Sequence, residues 1–249
     1  TSASQIEAIN IPSLQAIHSK LFGYADDFRF VIVGNVDLNT LKPLVEKYIG
    51  SLPTSKKVEY AVVDDGVRFA EGNVVNDFRT AMQQPKVSVR LVYTGDMEYN
   101  AKNRLIVDLL SRALDSRYMI SIREEKGGTY GVSVQGGIDE YPVEKYMMAI
   151  AFDTNEQLAD ELIEICDKEI KKIAEEGPLA DDVAKSKEFL QKNYNNVLEN
   201  NGGWMSAITR WYEEGYNFKE EYLGVLESVT LDDVKAFAQK MLDDGNRTL

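Results

Sequence analysis

The sequence predicts an α+β fold, a mainly antiparallel sheet with helices packed on one face, and three observations carry that prediction. Residues 86–93 alternate strictly, with Val87, Val89, Leu91 and Tyr93 on one side, which is the pattern of a half-buried strand. Two further strand-like runs, TYGVSVQG from Thr129 and KYMMAIAF from Lys145, are joined by GIDEYPVE, a connection suited to a hairpin and so to antiparallel pairing. Long apolar-striped segments lie between and after these strands, so helices form a layer on the sheet and do not alternate with every strand.

Each element has its own signal. IEAINIPSLQAIHSKLF, from Ile6, has helical periodicity behind a small polar capping residue. FRFVIVGNVD, residues 28–37, reads as a buried strand running into a Gly-Asn turn, and Asp37 is placed to cap the helix LNTLKPLVEKYIGSL. Leu52 to Gly66 is polar and turn-rich, a linker candidate, and residues 67–79 leave room for a strand or two. A long helix is expected from about Asn100 to Glu125, with Leu105, Ile106, Leu109, Leu110, Ala113 and Leu114 as its apolar stripe. Helices over roughly 155–176 and 180–199 are separated by the stop-and-restart pair Gly177-Pro178. Asn201-Gly202-Gly203-Trp204 reads as a loop with an anchoring aromatic, followed by helix near Trp204–Tyr212 and a terminal helix from Leu231.

The two ends of the chain repeat one another. LESVTLDDVKAFAQKML, from Leu226, aligns without gaps on the segment from Ile6, at an offset of 220 residues. Asn10 falls on Thr230, Leu14 on Val234, Ala16 on Ala236 and Lys20 on Lys240. A repeat of about 220 residues is domain-sized. The expectation is therefore a piece of a longer array: residues 1–52 the tail of a preceding unit, 53–66 a linker, and 67–249 a nearly complete unit.

Composition excludes several function classes. A net charge of −13 argues against nucleic acid, whose phosphates need clustered Lys and Arg. With 44% hydrophobic and 28% charged residues the composition is that of a globular chain, and no run approaches the eighteen or so apolar residues of a membrane span. Cys166 is the single cysteine, so no internal disulfide forms, and its place in the run Leu158, Leu162, Ile165, Cys166, Ile170 makes it a small core hydrophobe.

Metal chemistry is not written into these residues. A zinc peptidase needs two histidines at helical spacing with an acid, and a Glu to activate water. His18 is the only histidine and its repeat counterpart is Ala238, so no metal ligand set is expected in this chain. P-loop, G-x-S-x-G and C-x-x-C patterns are also missing. What remains is DSRYMISIREEKGGTYGVSVQGG, residues 115–137, which leads from the end of the long helix through Gly127-Gly128 into a strand. Read by spacing alone, Arg123 is either a substrate-facing cation or an ordinary ion-paired helix end. Tyr130, sharing strand parity with Val132 and Val134, is either a functional phenol or a core tyrosine.

The run S-R-x-x-x-x-x-R-E-x-x-G-x-x-Y at this helix-to-strand turn resembles the C-terminal half of the pitrilysin/insulinase family of zinc peptidases, whose metal motif is the inverted H-x-x-E-H. FVIVGNVDLNTLKPLVEKYIGSLP is similar to the closing segment of that family's domains, and EEGPLADDVAKSKEFL and VTLDDVKAFAQKML to its later helices.

The resemblance implies a pitrilysin-like repeat unit in a clam-shell enzyme of two halves, with zinc held by the N-terminal half. That half would lie on the same protein or on a separate subunit. Arg123 and Tyr130 match the Arg and Tyr that reach across to a peptide substrate and stabilise its transition state. This chain would then bind no cofactor and cleave nothing alone. The alternative is a non-catalytic scaffold or partner subunit. A bacterial parent of this type can be exported, but the sequence leaves the compartment open.

Overall fold

The computed structural model describes residues 2–26, 28–55, 62–124, 126–127 and 129–249. Part of the expected linker, residues 56–61, and the expected features at Glu125 and Gly128 lie outside the described residues.

Five strands form one sheet among the described residues: β1 (Asn73–Val74), β2 (Val87–Asp96), β3 (Val132–Asp139), β4 (Lys145–Thr154) and β5 (Arg247–Thr248). Their order is β1-β5-β2-β4-β3, antiparallel throughout except for the short β1–β5 pair. The alternation seen in the sequence holds. Val89, Leu91 and Tyr93 of β2 lie opposite Phe152, Ile150 and Met148 of β4, and all six are buried. Ser88 and Arg90 of β2 and Ser133 and Gln135 of β3, on the opposite face, are exposed.

The helices are α1 (Ala3–Glu7), α2 (Ile11–Phe22), α3 (Leu38–Tyr48), α4 (Ala101–Tyr118), α5 (Ala159–Glu176), α6 (Ala180–Leu198), α7 (Asn201–Glu214), α8 (Phe218–Ser228) and α9 (Leu231–Asp243). α4 lies across β3 and β4, while α5 and α9 pack on β2 and on each other. The core is the seam between these layers, centred on Leu109, Leu110, Leu114, Leu162, Ile170 and Ile150, none of which reaches solvent. No helix among the described residues is long and apolar enough to cross a membrane.

Four local expectations need correction. The predicted strand at 28–37 is absent, and Phe28, Phe30 and Ile32 are exposed. A strand needs a neighbour to satisfy its backbone groups, and every strand of the sheet comes from later in the chain. The region 67–79 yields only the two residues of β1. The predicted single helix to Glu125 ends at Tyr118 and passes into a π-helical turn, Met119–Glu124. The segment Asn201–Trp204 is the first turn of α7, because Asn200 caps it, its side-chain oxygen accepting from Gly203 N at 2.7 Å. The capping by Asp37 is as expected: its Oδ1 accepts from Asn39 N at 2.9 Å at the start of α3.

Candidate functional site

The helix-to-strand connection is built outward from two buried anchors. Tyr118 ends α4 and Ile122 sits inside the π-helical turn, and neither exposes any surface. Ser121 Oγ donates to Arg117 O at 3.0 Å, and Gly127 N closes the turn on Arg123 O at 3.1 Å. Gly127 has φ +61, a conformation that favours glycine, so the chain reverses here at little cost. Around this turn, Arg117 pairs with Glu169 at 3.0 Å and Lys126 with Glu161 at 2.6 Å, which fastens both ends of the connection to α5.

With Ile122 held inward, Arg123 is turned out. Its guanidinium donates only to Met119 Sδ, at 3.2 Å, and no carboxylate lies within ion-pair distance of it among the described residues. The ion-paired helix end is therefore not the arrangement found. Tyr130 follows on the other side of the turn, in a bend stabilised by Thr129, whose hydroxyl donates to Gly131 O at 3.0 Å. β3 begins only at Val132, so strand parity does not reach Tyr130, and its side chain is fully exposed at 103%. A core role for this tyrosine is excluded. Arg123 and Tyr130 thus flank one surface turn at the head of an edge strand.

Met119, whose sulfur accepts from Arg123, and Ile120 lie in the same π-helical turn as Arg123 and are exposed at 40% and 47%, an exposure the sequence reading did not anticipate. A signal was available. Tyr118, Met119, Ile120 and Ile122 place four apolar side chains in five positions, more than one helix face can bury.

A concavity lined by described residues lies elsewhere. A cleft of about 410 Å³ opens between α4, α6, α7 and α8, and neither Arg123 nor Tyr130 lines it. Its three arginines are already engaged: Arg104 and Arg210 with Glu214, at 2.9 and 3.4 Å, and Arg112 with Asp108 at 3.0 Å.

The residues do not fit a zinc site. Among the described residues no three His, Cys, Asp or Glu side chains come together, and His18 stands alone on α2, its ring 5.2 Å from that of Phe22. No chemical step is assigned to a metal held by this chain.

The described residues form a mostly antiparallel five-stranded sheet under a helical layer, and no cluster of metal ligands lies among them. Residues 8–190 match the model described as the Peptidase M16 inactive domain, and the chain belongs to that family. It is 24% identical over 198 residues to an Arabidopsis thaliana protein named zinc protease PQQL-like, covering 75% of this chain and 21% of that protein. It is 20% identical over 228 residues to the probable zinc protease PqqL of Haemophilus influenzae, covering 89% of this chain and 24% of the relative. The fold is shared with the periplasmic protease PqqL of Escherichia coli, at a TM-score of 0.79 and 21% identity over 100% of this chain and 28% of that one. The chain therefore spans about a quarter of the length of the relatives it matches.

Proposed function

We propose that this chain is the substrate-binding, C-terminal part of a zinc-dependent endopeptidase acting on peptides or unfolded polypeptide. The observation that carries the reading is the pair Arg123 and Tyr130: both are exposed, and among the described residues neither is engaged by a charged partner of this chain. A guanidinium fork and a phenol are hydrogen-bond donors suited to a peptide carbonyl, and better suited to the oxyanion that develops on it during attack. Met119 and Ile120, in the same π-helical turn as Arg123, supply apolar surface for a side chain of the bound peptide. Bond cleavage itself belongs to a zinc-carrying half, on the same polypeptide or a separate subunit. Residues 1–52 are read as the tail of a preceding unit, 53–66 as a linker and 67–249 as the unit that carries the turn.

The test is photo-crosslinking. A photoreactive phenylalanine at Met119, in the full-length product of the gene, is expected to capture an unfolded polypeptide substrate such as reduced casein. The same residue at the exposed Leu179, between the end of α5 and the start of α6, is the control. Equal capture at both positions, or at neither, rejects the reading.

A second reading, a scaffold or partner subunit without a catalytic role, is favoured by one observation: the matching family model is that of an inactive domain. Under that reading, substitutions at Arg123 and Tyr130 leave proteolysis by any assembly containing the chain unchanged.

A further inference from the structure

The cleft between α4, α6, α7 and α8 holds unspent hydrogen-bond donors. Tyr216, on the short connection from α7 to α8, lines it and is only 9% exposed, yet its hydroxyl makes no hydrogen bond to any described residue. A buried phenol normally finds a partner. The hydroxyl of Tyr222, on α8, is likewise unpartnered among the described residues. Burial pushes the Tyr216 phenol up to about 12 and raises that of Tyr222 too, so both remain protonated donors near neutral pH. The charge of Arg210 acts on both phenols and that of Arg112 on Tyr222, which gathers these groups around one part of the cleft. Arg112 spends only its Nε on Asp108, at 3.0 Å, and keeps both Nη groups. Arg210 has only a 3.4 Å ion pair to Glu214, a carboxylate it shares with Arg104. Three arginines thus line the cleft against one carboxylate, Asp108, in a chain whose net charge is −13.

The other walls are apolar and leave room. Tyr194, Phe218 and Tyr222, on α6 and α8, form a ring cluster with centroids 4.7–5.7 Å apart. From α7 the cleft receives the small residues Gly203, Ser206 and Ala207, while Met205, Trp211 and Tyr212 do not line it and are 45–55% exposed. A surface helix normally turns its large apolar side chains inward. Here small ones face the cleft, and its volume of about 410 Å³ is in the range of a small-molecule site. We propose that this cleft binds a small aromatic carboxylate. Its ring packs among Tyr194, Phe218 and Tyr222, and its carboxylate accepts from Tyr216, Tyr222 and the Nη groups of Arg112 and Arg210. The excess of arginine disfavours a cation, and a carboxylate is the acceptor that guanidinium and phenol match. A bare inorganic anion would leave the aromatic wall unused. The site does not rest on the role given to Arg123 and Tyr130.

Isothermal calorimetry on the full-length gene product tests this, with naphthylacetate as the probe. Saturable binding is expected. Tyr216→Phe removes a hydroxyl that bonds no described residue, so the unfolding midpoint is expected to stay where it is. Binding is expected to weaken about tenfold, the usual loss for one hydrogen bond to a charged group. Ala207→Trp, which fills the cleft, is expected to abolish it. Naphthylacetamide, which lacks the charge, and octanoate, which lacks the ring, are each expected to bind about tenfold more weakly than the probe or worse. The absence of saturable binding, or binding that both substitutions leave unchanged, overturns the inference. Equal affinity for the amide overturns the anionic character of the ligand, and equal affinity for octanoate overturns the aromatic one. A hexapeptide ending in Phe that binds about tenfold more tightly than the probe would assign the cleft to polypeptide C-termini, and so overturn a free small molecule as its occupant.

Discussion

The hydroxyl of Tyr118, at the end of α4, donates a hydrogen bond to the main-chain carbonyl of Cys166 on α5 at 3.0 Å, with both residues fully buried. This contact locks the helix that carries the Arg123 turn to the helix that backs it. Tyr118→Phe is expected to lower unfolding stability by about 1 kcal/mol, a typical net value for one buried hydrogen bond. Urea denaturation checks it, with the midpoint falling and the slope unchanged. An unaltered midpoint would show that the two helices are held by apolar packing alone.

Gly136 is where α4 rides directly on β3. A Cβ there would meet Ser111 Oγ at 2.4 Å and Val107 Cγ1 at 2.7 Å, both short side chains of α4. Gly136→Ala is therefore expected to destabilise the unit by about 1–3 kcal/mol, the usual cost of overpacking a fitted seam. The neighbouring Gly137 has open space around its missing Cβ, so Gly137→Ala is the matched control and is expected to be close to neutral by the same thermal or urea measurement.

Burial pushes the Cys166 thiol up to about 12. Burial also raises the phenols of Tyr93 and Tyr146, with hydrogen bonds to Asp167 and Asp244 adding to it. These groups hold their protons more tightly folded than unfolded. Their contribution to stability is therefore complete below the unfolded thiol value of about 8.5 and declines as pH rises from there toward 12. Thermal midpoints are expected to be flat from about pH 7 to 8.5 and to fall above it, and Cys166 should resist iodoacetamide at pH 8 until the chain is unfolded. Rapid labelling of the native chain would contradict the buried placement.

Much of the fold was legible in the sequence, for identifiable reasons. The alternation from Val87 to Tyr93 can be satisfied only by a strand with one buried face, and Asp37 and Thr230 are capping residues in front of helical patterns. The strand at 28–37 was misjudged because apolar composition describes what a segment can do with a partner strand, and this chain offers none to it among its described residues. β5, at two residues, is too short to leave a periodic signal. The candidate site was legible only by resemblance. Spacing left Tyr130 undecided between core and surface, because its parity with Val132 and Val134 matters only if the strand extends to it, and the Thr129 bend stops it short.

The isolated 249-residue chain is expected to retain less than stoichiometric zinc after dialysis and to leave casein intact, because it has a single histidine and its described residues bring together no ligand set for the metal. Metal analysis beside a cleavage assay checks both. Chelator-sensitive cleavage by the purified chain would overturn the division of labour proposed between the two halves.

The most direct test of the central claim is the turnover of Tyr130→Phe in the full-length gene product, measured together with its unfolding midpoint. The account predicts that kcat falls by about 10²–10³, the typical loss for one transition-state donor, while the midpoint is unchanged because Tyr130 contacts solvent and not the core. Unchanged turnover, or a fall matched by an equal loss of stability, would contradict it.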